Sequence, residues 1–233
     1  MHFALQPVVS LADRVVIGYE LLVRGPDDTS ARRILAATPP ERLDRAALAA
    51  LWDILPRIEP PTWLSANIRC VRTLPGDLRP PEGRVVLEVS ERVPLGRRDF
   101  EALRALRRAS WRVALDDVGA GRNGLGVVLA LRPDIVKVDG RWTRRLPHSA
   151  AARHFVRALV LVAGRFGATV VAEGVETEDA AGAAAGLGVA AAQGRLFGLE
   201  AARYDFLRRT LVWAAETPAW RDGKRVAGRD GKD

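Results

Sequence analysis

The chain has 233 residues, 48% hydrophobic and 27% charged, which is enough to bury one substantial core in a single domain. No uncharged apolar run reaches membrane-spanning length, and the N-terminal Met-His-Phe-Ala-Leu-Gln-Pro lacks the basic and apolar regions of a secretion signal, so a cytoplasmic location without membrane contact is expected. The single cysteine, Cys70, excludes an intrachain disulfide, and the net charge of +8 is arginine spread over most segments rather than an aromatic-interleaved basic strand, which argues against DNA or RNA as a partner.

Short apolar runs alternate with stretches of helical period. The first two runs, 3–9 and 15–23, are separated by a short link and read as an antiparallel hairpin. A helical pattern at 46–55 precedes strands at 63–68 and 85–89. A helix at 99–109 leads to strands at 112–116 and 135–138, a helix at 154–165 to a strand at 169–172, and a helix at 178–187 to a weak strand at 190–193. Eight strands with intervening helices predict an α/β fold, a TIM-type (β/α)8 barrel made irregular by an antiparallel first strand. Residues 1–216 form the expected domain, and the basic polar tail at 217–233 is expected to be disordered.

Almost every predicted strand delivers one polar group near its end. Glu20 lies in the second, and Asn67, Glu88, the pair Asp116-Asp117, Lys137, Glu173 and Gln193 end the third to eighth. Several of these residue types are scarce here. Lys137 is the only lysine before the tail, the asparagines are Asn67 and Asn123, and the glutamines are Gln6 and Gln193. In a β/α barrel the carboxyl ends of the strands meet at one mouth, so these residues are expected to share a site.

An isolated Asp-Asp pair is more often a solvated acidic turn or a helix N-cap than a metal site. Seven strand ends agreeing favours a site instead. Carboxylates with one amide oxygen suit hard cations such as Mg2+ or Mn2+ rather than zinc, and His2, His148 and His154 show no paired metal-ligand spacing. So many carboxylates suggest two ions, about 3.5–4 Å apart, with Asp116 placed to bridge them. Such a site favours phosphoester hydrolysis, with Lys137 orienting water or stabilising the charged phosphorus centre. Residues 119–124 also fit GxGxxG after a strand, the fingerprint of a dinucleotide-binding unit, but two aspartates just before it would repel a pyrophosphate.

The chain resembles the EAL-domain phosphodiesterases that hydrolyse cyclic di-GMP, over roughly residues 3 to 200. The resemblance rests on Gln6-Pro7-Val8, on Glu20-Leu21-Leu22 with Arg24, on Ser65-Ala66-Asn67, and on Leu87-Glu88-Val89-Ser90-Glu91. It continues through Asp116-Asp117-Val118-Gly119-Ala120-Gly121, Val136-Lys137-Val138-Asp139, Ala172-Glu173-Gly174-Val175-Glu176-Thr177 and Ala192-Gln193-Gly194. It implies an irregular barrel whose first strand is antiparallel, and metal-dependent conversion of cyclic di-GMP to linear pGpG.

By position, the resemblance makes Glu20, Asn67, Glu88 and Asp116 ligands of one divalent cation, Mg2+ or Mn2+, with Asp116 and Asp117 reaching a second. Lys137 matches the lysine that contacts catalytic water. Glu173 matches a glutamate that is either general base or partner of the metal-bound water. Glu176 and Gln193 match the remaining polar residues, Gln6 and Arg24 lie on the substrate side, and Glu91 steadies the loop holding Gly119 and Gly121. The resemblance also implies a homodimer, and it leaves room for a regulatory protein partner.

Some positions depart from the family pattern: Leu21 replaces alanine, Val118 phenylalanine and Ala120 threonine, and Arg122-Asn123-Gly124 replaces an aromatic-serine segment. These changes fall mainly in the loop that couples the site to the dimer interface in the family. The alternative to an enzyme is therefore a weak or inactive cyclic di-GMP receptor or protein-interaction module.

Overall fold

The computed structural model describes the chain except residues 1, 26–30, 75–79, 81–82, 91–94, 122–123, 206, 214–219, 222–223 and 226–233. Eight strands close into a barrel: β1 (His2–Ser10), β2 (Val16–Arg24), β3 (Trp63–Asn67), β4 (Val85–Ser90), β5 (Arg112–Val118), β6 (Ile135–Val138), β7 (Thr169–Ala172) and β8 (Ala191–Ala192). From β2 to β8 every neighbour is parallel, whereas β1 is antiparallel to both β2 and β8, as the short first link requires. The edge of β1 that closes the barrel is shared. Val9 and Ser10 pair with β8, while residues from His2 to Leu5 pair with β9 (Ala202–Asp205), which β10 (Thr210–Trp213) then extends.

Helices α1 (Ala31–Ala37), α2 (Pro40–Ile54), α3 (Arg97–Arg108), α4 (Gly124–Leu131), α5 (Gly140–Thr143), α6 (Ala150–Gly164) and α7 (Glu178–Gly186) fill the connections. α2 starts six residues before the predicted 46, because Pro40 presets the first-turn φ and Leu43 begins the buried stripe of Leu43, Ala47, Leu51 and Ile54. Ser149 and Thr177 cap α6 and α7 by accepting from the N–H of Ala152 and Ala180. Among the described residues no helix is long and apolar enough to cross a membrane. Within the tail expected to be disordered, β11 (Trp220–Arg221) and β12 (Lys224–Arg225) pair with each other in a separate two-stranded sheet.

The barrel interior is layered. Val8, Trp63, Val86, Ala114, Ile135, Val171 and Ala191 form an apolar cluster distinct from the main core under the helices. Side chains alternate faces along a strand, so the next inward position lies two residues away. Two residues on in each parallel strand stand Ser65, Glu88, Asp116, Lys137, Glu173 and Gln193. On the antiparallel β1 the step runs backwards, from Val8 to Gln6, whose register partner is Glu20. The apolar layer is thus a floor, and a polar ring sits on it.

Candidate active site

Lys137 occupies the centre of this ring and is 1% exposed. Its Nζ lies 2.7 Å from Glu88 Oε2, 2.9 Å from Glu20 Oε2, 3.0 Å from Glu173 Oε1 and 3.1 Å from Asp116 Oδ1. Two amides tie the carboxylates together. Asn67 Nδ2 donates to Glu20 Oε1 at 2.9 Å, and Gln193 Nε2 donates to Glu20 Oε2 at 2.7 Å and Glu173 Oε1 at 3.2 Å. Residues separated by up to 173 positions in the chain meet here because each stands on the same inward layer of its strand or just beyond it.

Asp116 and Asp117 are split by the backbone. Between Leu115 and Val118 the β5–β6 register gains one residue on β5, a bulge, and Asp117 adopts a left-handed φ of 58°. Asp116 turns inward to Lys137, while Asp117 Oδ2 accepts from Ser90 Oγ at 3.3 Å. The chain then turns at Gly119 (φ 94°), whose carbonyl accepts from Trp142 Nε1 at 2.9 Å. A Cβ at Gly119 would lie 2.4 Å from that nitrogen, so glycine is required there for contact as well as φ. Trp142 is held by stacking on Phe155 at 4.3 Å. Gly121 lies exposed in the same segment.

Asn67 has a separate support. Asp44, buried on α2, accepts from the N–H of Arg69 at 3.1 Å and of Cys70 at 2.8 Å, which fixes the chain just beyond Asn67.

One ammonium among four carboxylates leaves an excess of negative charge that burial makes costly. The acidic groups respond accordingly. Burial, then the neighbouring Glu20, pushes Glu88 up to about 8. Burial and Asp116 raise Glu173 well above the usual carboxylate range. Burial opposes the Lys137 ammonium, but Asp116, Glu173, Glu20 and Glu88 outweigh it and raise its pKa. Among the described residues Gln193 Oε1 and Ser65 Oγ are buried without a hydrogen bond, while Asp116 Oδ1 has its ion pair with Lys137.

This donor set fits a hard divalent cation: it offers carboxylate oxygens, the amide oxygen of Asn67 and a charge excess, with no histidine or cysteine among them. Among the described residues, no three His, Cys, Asp or Glu side chains are already arranged around a common metal position, because the Lys137 ammonium lies between the acids.

A cavity of about 700 Å3 opens on this ring, lined by Gln6, Glu173, Gln193 and, at its rim, Glu176, which pairs with Arg195 at 2.9 Å. Arg24 is half-buried and donates to its neighbour's carbonyl, Val23 O, at 3.2 Å; the structure does not bring it into contact with the ring. Glu91 lies outside the described residues, as do Arg122 and Asn123. The sequence reading missed Arg141, Arg144 and Arg195 on the cavity wall, Asp139, which caps α5 through Arg141 N at 2.7 Å, and the Trp142 clamp. The arginines carry no signal in so arginine-rich a chain. Asp139, directly after the Ile-Val-Lys-Val strand, did carry one.

Residues 1–200 match the model of the EAL domain family. Over 143 residues, 61% of this chain, it is 30% identical to a probable cyclic di-GMP phosphodiesterase, PdeD, of Escherichia coli, and covers 27% of that protein. The barrel is similar to Klebsiella pneumoniae BlrP1, solved as a manganese and cyclic di-GMP complex, with TM-score 0.74 and 32% identity over 84% of this chain and 55% of that one. It is also similar to the EAL domain of Mycobacterium smegmatis DcpA, with TM-score 0.69 and 25% identity over 91% of this chain and 94% of that one. The chain therefore spans about a quarter of the E. coli protein and about half of the Klebsiella chain.

Proposed function

The chain belongs to the EAL domain family, and from that premise we propose that it hydrolyses cyclic di-GMP to linear pGpG in a reaction that depends on Mg2+ or Mn2+. The observation that carries this reading is the convergence of four carboxylates from different strands, tied by the amides of Asn67 and Gln193, on a single buried lysine. In this reading Glu20, Asn67, Glu88 and Asp116 hold one cation, and Asp116 and Asp117 reach a second. When bound, the cations neutralise charge on the phosphodiester and make water a stronger nucleophile.

The protein's own groups do the rest. Lys137 holds the four carboxylates in register and, in this reading, is the cation that orients the attacking water. Glu173, which lines the cavity beside Lys137, is the general base in this reading. Gln193 orients Glu173 through its 3.2 Å bond, and Gln6 meets the substrate from β1. Arg24 contributes on the substrate side. Glu176 and the Gly119–Gly121 turn shape the rim.

The second reading is a cyclic di-GMP receptor without turnover. It is favoured by the position of the Lys137 ammonium, which already links all four carboxylates. Incubating the protein with cyclic di-GMP and Mg2+ or Mn2+, beside Glu20→Ala and Lys137→Ala, separates the two. Metal-dependent pGpG that both substitutions abolish is expected. Binding with no product would transfer the assignment to the receptor.

A further inference from the structure

The same cavity carries three arginines on its β6–β8 side, Arg141, Arg144 and Arg195. Two have carboxylate partners, Asp139 at 3.1 Å from Arg141 and Glu176 at 2.9 Å from Arg195. Among the described residues Arg144 has no carboxylate partner within ion-pair distance. Shape holds it instead. A Cβ at Gly140 or at Gly174 would come within 2.7 Å of Arg144 Nη1, so the guanidinium lies against two glycine backbones. Gly140 opens α5, and Gly174, at φ 58°, directly follows Glu173. An exposed cation is thereby seated beside the polar ring, in one cavity with it and without a balancing charge.

A guanidinium so placed suits an anion, and its planar fork can grip a phosphate by two hydrogen bonds. A cyclic dinucleotide carries two phosphodiesters. Resting on the reading above, in which one phosphodiester lies over the polar ring, we propose that Arg144 holds the second, with Arg195 beside it. The Arg195–Glu176 pair is solvent-exposed, with side chains 69% and 37% accessible, so releasing Arg195 to a phosphate costs little. The second phosphodiester is unchanged by the reaction. The contact therefore strengthens substrate and transition state alike, and its loss raises KM while leaving kcat in place.

The test is equilibrium binding of cyclic di-GMP in the presence of Ca2+, with competition by linear GpG, which keeps both guanines but only one phosphodiester. Arg144→Ala is expected to weaken cyclic di-GMP binding about ten- to hundredfold. It should weaken GpG far less, and Arg144→Lys should recover part of the loss through charge alone. Steady-state kinetics of Arg144→Ala should show the change in KM. Equal binding by wild type and Arg144→Ala, or an equal penalty on both ligands, overturns the assignment of Arg144 while the phosphodiesterase reading stands. Failure of the wild type to bind cyclic di-GMP overturns both.

Discussion

Trp63 fills the space that a side chain on its register partner, Gly18, would need: a Cβ at Gly18 would lie 2.3 Å from the indole ring. The floor of the barrel is closed by this exchange, a missing side chain on β2 against a large one on β3. Glu20 stands two residues above Gly18, so the polar ring rests on the same fit. Gly18→Ala is expected to cost about 1–3 kcal/mol through overpacking. A lowered urea midpoint, with weaker Mn2+ binding, would confirm it; an unchanged midpoint would show that the floor yields.

Lys137→Met tests the charge balance of the ring. Removing one partner of a buried ion pair costs about 3–5 kcal/mol because the remaining charge is left uncompensated. Without the ammonium, which opposes burial at Glu88 and Glu173, those two carboxylates rise further in the folded state. Groups with raised folded pKa stabilise the fold below their unfolded pKa and lose that contribution as pH rises. The variant's deficit is therefore expected to widen from pH 5 to pH 8, and added Mn2+ should narrow it. Melting curves across that range, with and without Mn2+, give the answer; a deficit independent of pH would remove the electrostatic explanation.

Tyr204 sets a limit on alkaline stability. Its hydroxyl, on β9, donates to Asp53 on α2, which also accepts from Arg209. Burial, then that bond to Asp53, pushes the phenol up to about 12. The raised value favours the protonated phenol in the folded state, so its stabilisation is present below about pH 10, the ordinary phenol value, and disappears as pH rises through 12. Denaturation followed from pH 9 to 12 should show wild type losing stability that Tyr204→Phe, less stable at pH 9, no longer has to lose.

The barrel strands were legible because each is an apolar run and seven of the eight carry an informative polar residue, and Lys137, Asn67 and Gln193 stand out in a chain that otherwise uses arginine and alanine. The bulge at Asp116-Asp117 was not, since it exists only relative to the β6 register. β9 and β10 escaped notice because β10 is largely exposed, which leaves its sequence without a clean alternation. α4, Gly-Leu-Gly-Val-Val-Leu-Ala-Leu, has no polar face, so its sequence sets no clean helical period. Arg144 was invisible for another reason: two glycines make its seat, and neither advertises a cation.

The reversed direction of β1 fixes where the polypeptide crosses the barrel. His2 pairs with Arg24, at the end of β2 that opens on the polar ring, and with Asp205 of β9. The chain therefore enters at the rim of the cavity rather than beneath the floor. In longer proteins of this architecture, whatever is joined ahead of β1 emerges over the entrance, so a tug on that junction pulls first on the strand that carries Gln6.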